Sequence, residues 1–341
     1  MMQSKVENTG HGKEVEAAGH HPMWKTFLAF AILYLVWGAT FLAIRVGVRE
    51  VPPFLFAAMR FLIAGLVLYG WMIAQGERSP SKIQWASASL LAILFFVFDY
   101  GLLYWAEQRV PSGIAAVMMA TTPTFMALWE ITFLKTQKLT VRLALALLIG
   151  TGGVAVLVSH KLNLGGVPID RMGAVALVTA SMSWSISSVL TRKLPLPPSK
   201  VMSSGIQMLV GGVFLAFTAA AFGEFRDFHP RNVSINGWLS LLYLTVAGSI
   251  IAFTAYIWLI HHESPTKVGT YAYVNPVVAV LLGYFFGGEA LGVRTILGAL
   301  LVLIGVVVIT TTRTKKPAAG ISDADTELAL DKPGNRKLTQ R

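Results

Sequence analysis

The chain of 341 residues contains no cysteine, and only 13% of its residues are charged. The first absence excludes disulfides, thiolate metal sites and cysteine nucleophiles, and it leaves the redox compartment unreadable. The second is about half the charge of an ordinary soluble domain, where ~25% is usual. Enzyme signatures are missing too: there is no H-E-x-x-H, no G-x-S-x-G and no G-x-x-x-x-G-K-[ST]. What the chain has instead is apolar surface. Hydrophobic residues make up 55% and the mean hydropathy is +0.62, the balance of an integral membrane protein.

A membrane-spanning helix needs about 20 mostly apolar residues, and ten stretches approach that length. They are 27–46, 53–74, 85–107, 113–134, 141–159, 172–190, 201–222, 236–258, 267–287 and 293–312. None alternates apolar and polar residues as a barrel strand does, so the expected fold is all-α. The first run exceeds a signal-peptide core and is expected to stay as a helix. No connection is long enough for a nucleotide-binding domain, so any transport would run on a gradient or on none.

Residues 1–26 and 313–341 are polar tails expected to be disordered. Lys25, Arg313, Lys315 and Lys316 place both on the cytoplasmic side by the positive-inside rule. His11, His20 and His21 are read as solvated rather than as a metal site, and no cofactor is expected. The net charge of +11 reports orientation and contact with lipid headgroups; nucleic acid is not expected as a partner. "NVS" at 232–234 matters only in a secretory host.

The chain repeats itself. "FLAIRVGVREVPPFLFAAMRFLIAG" from 41 aligns with "SSVLTRKLPLPPSKVMSSGIQMLVGG" from 187, pairing Trp37 with Trp184, Arg45 with Arg192 and Gly65 with Gly212. "LTVRLALALLIGTGGVAVL" from 139 matches "LGVRTILGALLVLIGVVVI" from 291, pairing Arg142 with Arg294 and Gly153 with Gly305. Five spans at 27–159 are thus followed by five similar spans at 172–312. An odd-numbered repeat enters the membrane from opposite sides, so the halves are expected to be inverted copies with a site near the midplane between them.

These stretches, with "YWAEQRVPSGIAAVMMATTP" and "YVNPVVAVLLGYFFGGEALGVRT", resemble the drug/metabolite transporter superfamily, and more closely its EamA family of bacterial inner-membrane exporters. The resemblance covers roughly 27–312. It implies a secondary transporter of small metabolites or drugs in the bacterial inner membrane. One departure stands out: Gly288, Glu289 and Leu291 end the ninth span as in the family, whereas the first half has Thr136, Gln137 and Leu139.

Two prolines sit early in matching runs, Pro123 in "ATTP" and Pro276 in "YAYVNP". Proline frees a carbonyl and disfavours a continuous helix. These segments are therefore expected to bend the fourth and ninth spans and to turn Thr122 and Asn275 toward a cavity, unless they are structural kinks alone. Charge inside a span is costly, about 2.5–3.5 kcal/mol at the centre, and Arg60, Asp99, Glu107 and Glu130 fall within spans. Arg60 and Asp99 lie at similar depth and are expected to pair, with Asp99 a candidate for proton coupling; a fixed structural salt bridge is the competing reading. Glu107 and Glu130 are expected at the interfaces, Glu130 beside Lys135 or Lys138.

The halves differ here: Arg60 aligns with Gln207, Asp99 falls near Ile251 and Glu130 near Leu282. Tyr100, Tyr104 and Tyr256 share the polar faces, and Trp37, Trp184, Tyr104 and Tyr271 are the aromatic residues assigned to the cavity, although membrane-interface belts also consume Trp and Tyr. Gly150, Gly152, Gly153, Gly298 and Gly305 suit close helix packing and leave a homodimer open. The readings that compete with export of a small molecule are a nucleotide-sugar carrier of the same superfamily, a membrane-embedded enzyme and a non-transport scaffold.

Overall fold

A computed structural model of the chain describes residues 23–110, 112–159, 170–287 and 293–311. Among these residues the only regular structure is helical. The helices are α1 (Met23–Gly47), α2 (Pro53–Ala74), α3 (Lys82–Glu107), α4 (Ser112–Met119), α5 (Thr122–Trp129), α6 (Val141–Ser159), α7 (Arg171–Leu190), α8 (Lys200–Ala221), α9 (Ile235–His262), α10 (Tyr271–Gly287) and α11 (Val293–Thr310). Six of them, α1, α2, α3, α7, α8 and α9, are long and apolar enough to cross a membrane. At 1.5 Å per residue the 22 residues of α2 run about 33 Å, the thickness of a hydrocarbon core. Residues 23–26, expected in the N-terminal tail, begin α1 instead; the rest of that tail, residues 312–341, the histidines at 11, 20 and 21, and the Gly288, Glu289 and Leu291 ending lie outside the described residues.

Local chemistry sets the helix ends. Pro52 and Pro53 open α2, where the missing N–H costs nothing, and Gly76 at φ +85° closes it. Ser81 and Gln84 form a reciprocal capping box at the start of α3. Asp170, Ser199 and Ser234 cap α7, α8 and α9 by accepting the N–H of Gly173, Met202 and Gly237.

Packing follows the repeat. α2 lies along α8 and α6 along α11; α1 meets α9 and α10, while α7 meets α3 and α5. Each contact crosses between the halves, so neither half buries its polar face alone. Glycine makes the closest approaches. A Cβ on Gly65 would lie 2.3 Å from the Leu209 backbone nitrogen, and one on Gly212 would lie 2.7 Å from that of Leu62. Gly153 meets Val302 and Gly305 meets Gly150 in the same way, so these three glycines serve a contact within the chain. The outer surface carries exposed Leu35, Leu42, Ile63, Leu66, Phe98, Val246, Leu300 and Val307, a belt suited to lipid tails.

The fourth and ninth stretches do break, the fourth within "ATTP" as expected and the ninth ahead of its proline segment. α4 ends at Met119 and α5 starts at Thr122, so Pro123 occupies a first turn that its fixed φ suits. In the ninth, a short helix Pro265–Val268 is followed by turns at 269–270, and α10 then runs unbroken through Pro276. The break precedes "YAYVNP" instead of coinciding with its proline.

Candidate functional site

Between the halves lies an aromatic cluster built on α1, α3, α7, α9 and α10. The Trp37 ring stands 5.4 Å from Trp184, 5.3 Å from Tyr256 and 4.7 Å from Tyr271, centroid to centroid. Tyr100 lies 5.6 Å from Trp184, and Phe95 lies 4.8 Å from it. Edge-to-face pairs of this kind add about 0.5–1.5 kcal/mol beyond area burial. They also fix the rings in place. Beside the cluster is a cavity of about 40 Å³ whose lining includes Trp37, Asp99, Tyr100, Trp184, Tyr271 and Asn275. That volume holds roughly two or three waters. Thr40, Phe41, Ile44, Leu103 and Met119 complete the wall, extending it toward the C-terminal ends of α1 and α3.

Two π-helical stretches hold this centre. Ile93–Gly101 interrupts α3 and Leu244–Ile251 interrupts α9, at corresponding places of the repeat. Such widened turns often mark functional sites. Each presents a carbonyl to the opposite half: Trp37 Nε1 donates to Gly248 O at 3.0 Å, and Ser183 Oγ donates to Leu94 O at 2.8 Å. A similar correspondence appears at the ends, where Arg45 donates to Val110 O at 3.1 Å and Arg192 to Glu263 O at 3.2 Å.

Arg60 and Asp99 do not pair. Arg60 is fully buried; its Nε donates to Ser249 Oγ at 2.7 Å and its Nη1 to Tyr104 Oη at 2.8 Å, while Nη2 has no acceptor. The guanidinium carbon sits 4.6 Å over Phe61 and 5.0 Å over Tyr100. Ser249, brought in by the widened turn of α9, and the Tyr104 hydroxyl satisfy the fork that a carboxylate was expected to take. Asp99 faces the cavity, 1% exposed, with Oδ1 lacking any donor.

The other expected residues divide. Tyr104 belongs to the Arg60 network and Tyr256 to the aromatic cluster, with its hydroxyl against Ser188 Oγ. Thr122 is spent at the α5–α7 contact: its hydroxyl meets Ser181 Oγ at 2.9 Å and its carbonyl accepts from Ser185 at 3.1 Å. Pro123 packs near Gly269, at the second break. Gln207 donates to Ser203 Oγ at 2.9 Å within α8, its Oε1 unpartnered. Asn275 lines the cavity one residue before Pro276, which is buried in α10.

The two remaining carboxylates are buried. Glu130 accepts from Thr266 N at 3.1 Å, Thr266 Oγ1 at 2.7 Å and Thr136 Oγ1 at 3.1 Å. Its partners are thus the start of the short helix before α10, not Lys135 or Lys138, because helix N–H groups attract a carboxylate. Glu107, the last residue of α3, is 1% exposed with both oxygens unpartnered.

Sequence reasoning missed Ser249, Ser183 and the π stretches. The run "SMSWSISS" carries a visible signal, since Ser181, Ser183, Ser185, Ser187 and Ser188 are all buried on α7. A π turn leaves no such mark. Among the described residues no three His, Asp or Glu side chains gather as metal ligands.

Comparison with known proteins gives the family and the fold. The model of the EamA-like transporter family matches residues 24–159 and again 171–311. The inner membrane transporter YedA of Escherichia coli (strain K12) is 39% identical over 286 residues, 83% of this chain and 90% of that one. A transporter of Archaeoglobus fulgidus is 25% identical over 285 residues, covering 83% and 96%, and a chloroplastic WAT1-related protein of Arabidopsis thaliana is 25% identical over 288, covering 82% and 69%. A solved structure titled "Crystal structure of protein" shares the fold with a TM-score of 0.67 at 22% identity, covering 85% of this chain and 98% of that one. The chain belongs to the EamA-like transporter family.

Proposed function

We propose that the protein is a ten-span secondary carrier of two inverted five-helix repeats that exports small metabolites or drugs by alternating access. It would lie in the bacterial inner membrane with both termini in the cytoplasm. The observation that carries this reading is the cavity between the halves, lined by Asp99, whose Oδ1 has no protein donor. A buried carboxyl group left without a partner is costly, so it implies a visitor, either a proton or part of a substrate. Proton coupling through Asp99 follows from the same fact.

At about 40 Å³ the cavity holds only a few atoms. Substrate entry then requires the halves to part, and the cavity already extends toward the C-terminal ends of α1 and α3, the outer side in the proposed orientation. A nucleotide-sugar carrier is less well supported, because among the described residues the cavity wall holds no basic side chain for a phosphate.

The test is untargeted mass spectrometry of medium from cells overproducing the protein, the Asp99→Asn variant, or nothing. A compound enriched outside only with the intact chain is expected. No difference for any compound, with the protein present in the membrane, would remove the export reading.

A further inference from the structure

We propose that the cavity receives the primary ammonium head of an amine substrate, with Asp99 as its counter-ion and the Asn275 amide oxygen as a second acceptor. This rests on the transport reading above and names its substrate class. Two residues that line one cavity carry buried acceptors without donors: Asp99 Oδ1 and Asn275 Oδ1, in side chains of residues 1% and 3% exposed. Buried acceptors left unpaired are costly, and a ligand that brings donors relieves both. A primary ammonium carries three N–H donors and no acceptor; a quaternary ammonium carries none.

The walls agree with a cation. Trp37, Trp184, Tyr100 and Tyr271 surround the space, and tryptophan faces attract ammonium groups most strongly. An anionic head would meet one unpartnered donor there, Trp184 Nε1, but no charged one among the described lining residues. Arg60 does not line the cavity, two of its nitrogens are already committed, and Nη2 would lie 2.9 Å from a Cβ on Gly248. Size points the same way, since a cavity of about 40 Å³ admits a head of a few atoms while the rest of the molecule extends past Ile44 and Leu103.

The experiment uses the purified full-length chain in detergent and follows its tryptophan fluorescence during titration. The probes are benzylammonium, benzyltrimethylammonium, benzyl alcohol and phenylacetate at matched ionic strength. Benzylammonium is expected to give saturable quenching, with each of the others bound at least tenfold more weakly. Asp99→Asn should weaken benzylammonium by tenfold or more, and Asn275→Ala by severalfold. If Asp99→Asn elutes as aggregate, Asp99→Glu replaces it and should keep the preference for benzylammonium over the alcohol.

Equal binding of all four probes, tightest binding of phenylacetate, or no saturable quenching by benzylammonium overturns the proposal. The two readings fail separately. Export lost on Asp99→Asn without amine binding keeps the carrier and discards the ammonium site; amine binding in a chain that exports nothing does the reverse.

Discussion

The first and second halves share a scaffold and divide the chemistry. Gly65 and Gly212 make matching backbone contacts, Arg45 and Arg192 fasten matching helix ends, and α3 and α9 carry π stretches at matching places. Charge does not follow. Arg60 and Asp99 stand in the first half, while Gln207 bonds within its own helix and Ile251 is 46% exposed on the lipid-facing surface. Duplication preserves what brings backbones together, because both copies must pack, and it keeps Trp37 and Trp184 together at the cavity; Arg60 and Asp99 are released from that constraint. Symmetry in this molecule is a property of packing.

The comparison breaks first at the glycines. Gly65→Leu and Gly212→Leu should each cost about 3 kcal/mol or more by forcing α2 from α8. Gly152→Leu, which meets nothing within 4 Å, should stay within about 0.5 kcal/mol. Thermal unfolding in detergent and size-exclusion profiles measure both; unequal losses for the matched pair would deny the symmetric scaffold. Next comes function. Asp99→Asn should lower export at least tenfold, whereas Ile251→Ala, at the corresponding place, should leave it within twofold, as read by accumulation of the exported compound.

Smaller effects sharpen the same contrast. Ser183→Ala and Trp37→Phe each remove one bond to a π-stretch carbonyl and should cost about 0.6–1 kcal/mol by thermal unfolding, the usual worth of a hydrogen bond between membrane helices. The smallest effect concerns Glu224, beyond the end of α8. Burial raises its carboxyl above the ordinary range, and the N–H groups of Leu55 and Phe54 pull it partly back. The folded state therefore favours the protonated form, so the stability it contributes below about pH 4 fades as pH rises through the raised value. Glu224→Gln should flatten that decline in unfolding curves taken from pH 4 to 8.

The helical fold and its duplication were legible in the sequence because apolar length and glycine spacing are one-dimensional signals. Trp37, Trp184, Asp99 and Tyr271 were legible as cavity residues because polar and aromatic groups in a lipid-length run are costly wherever they face the tails. The Arg60–Asp99 pair failed because depth along two helices does not give rotation about them. Ser249 reaches Arg60 from the other half, through a turn whose widening depends on packing and not on composition. Likewise Pro123 and Pro276 look alike in sequence, yet one starts a helix and the other sits inside one, since proline restricts its own φ without deciding which neighbour leaves the helix.

The glutamates that cap helix starts across the halves have a mechanical side. Glu50 holds the N–H and hydroxyl of Ser234, and Glu224 holds Leu55, both at the end where α1 terminates; Glu130 holds Thr266 at the opposite end. A rocking motion that parts the halves at one end must release the clasps there while those at the far end remain as the fulcrum. Under the proposed alternating access, reversing the motion would exchange the roles, and each set of clasps would serve in turn as hinge and as latch.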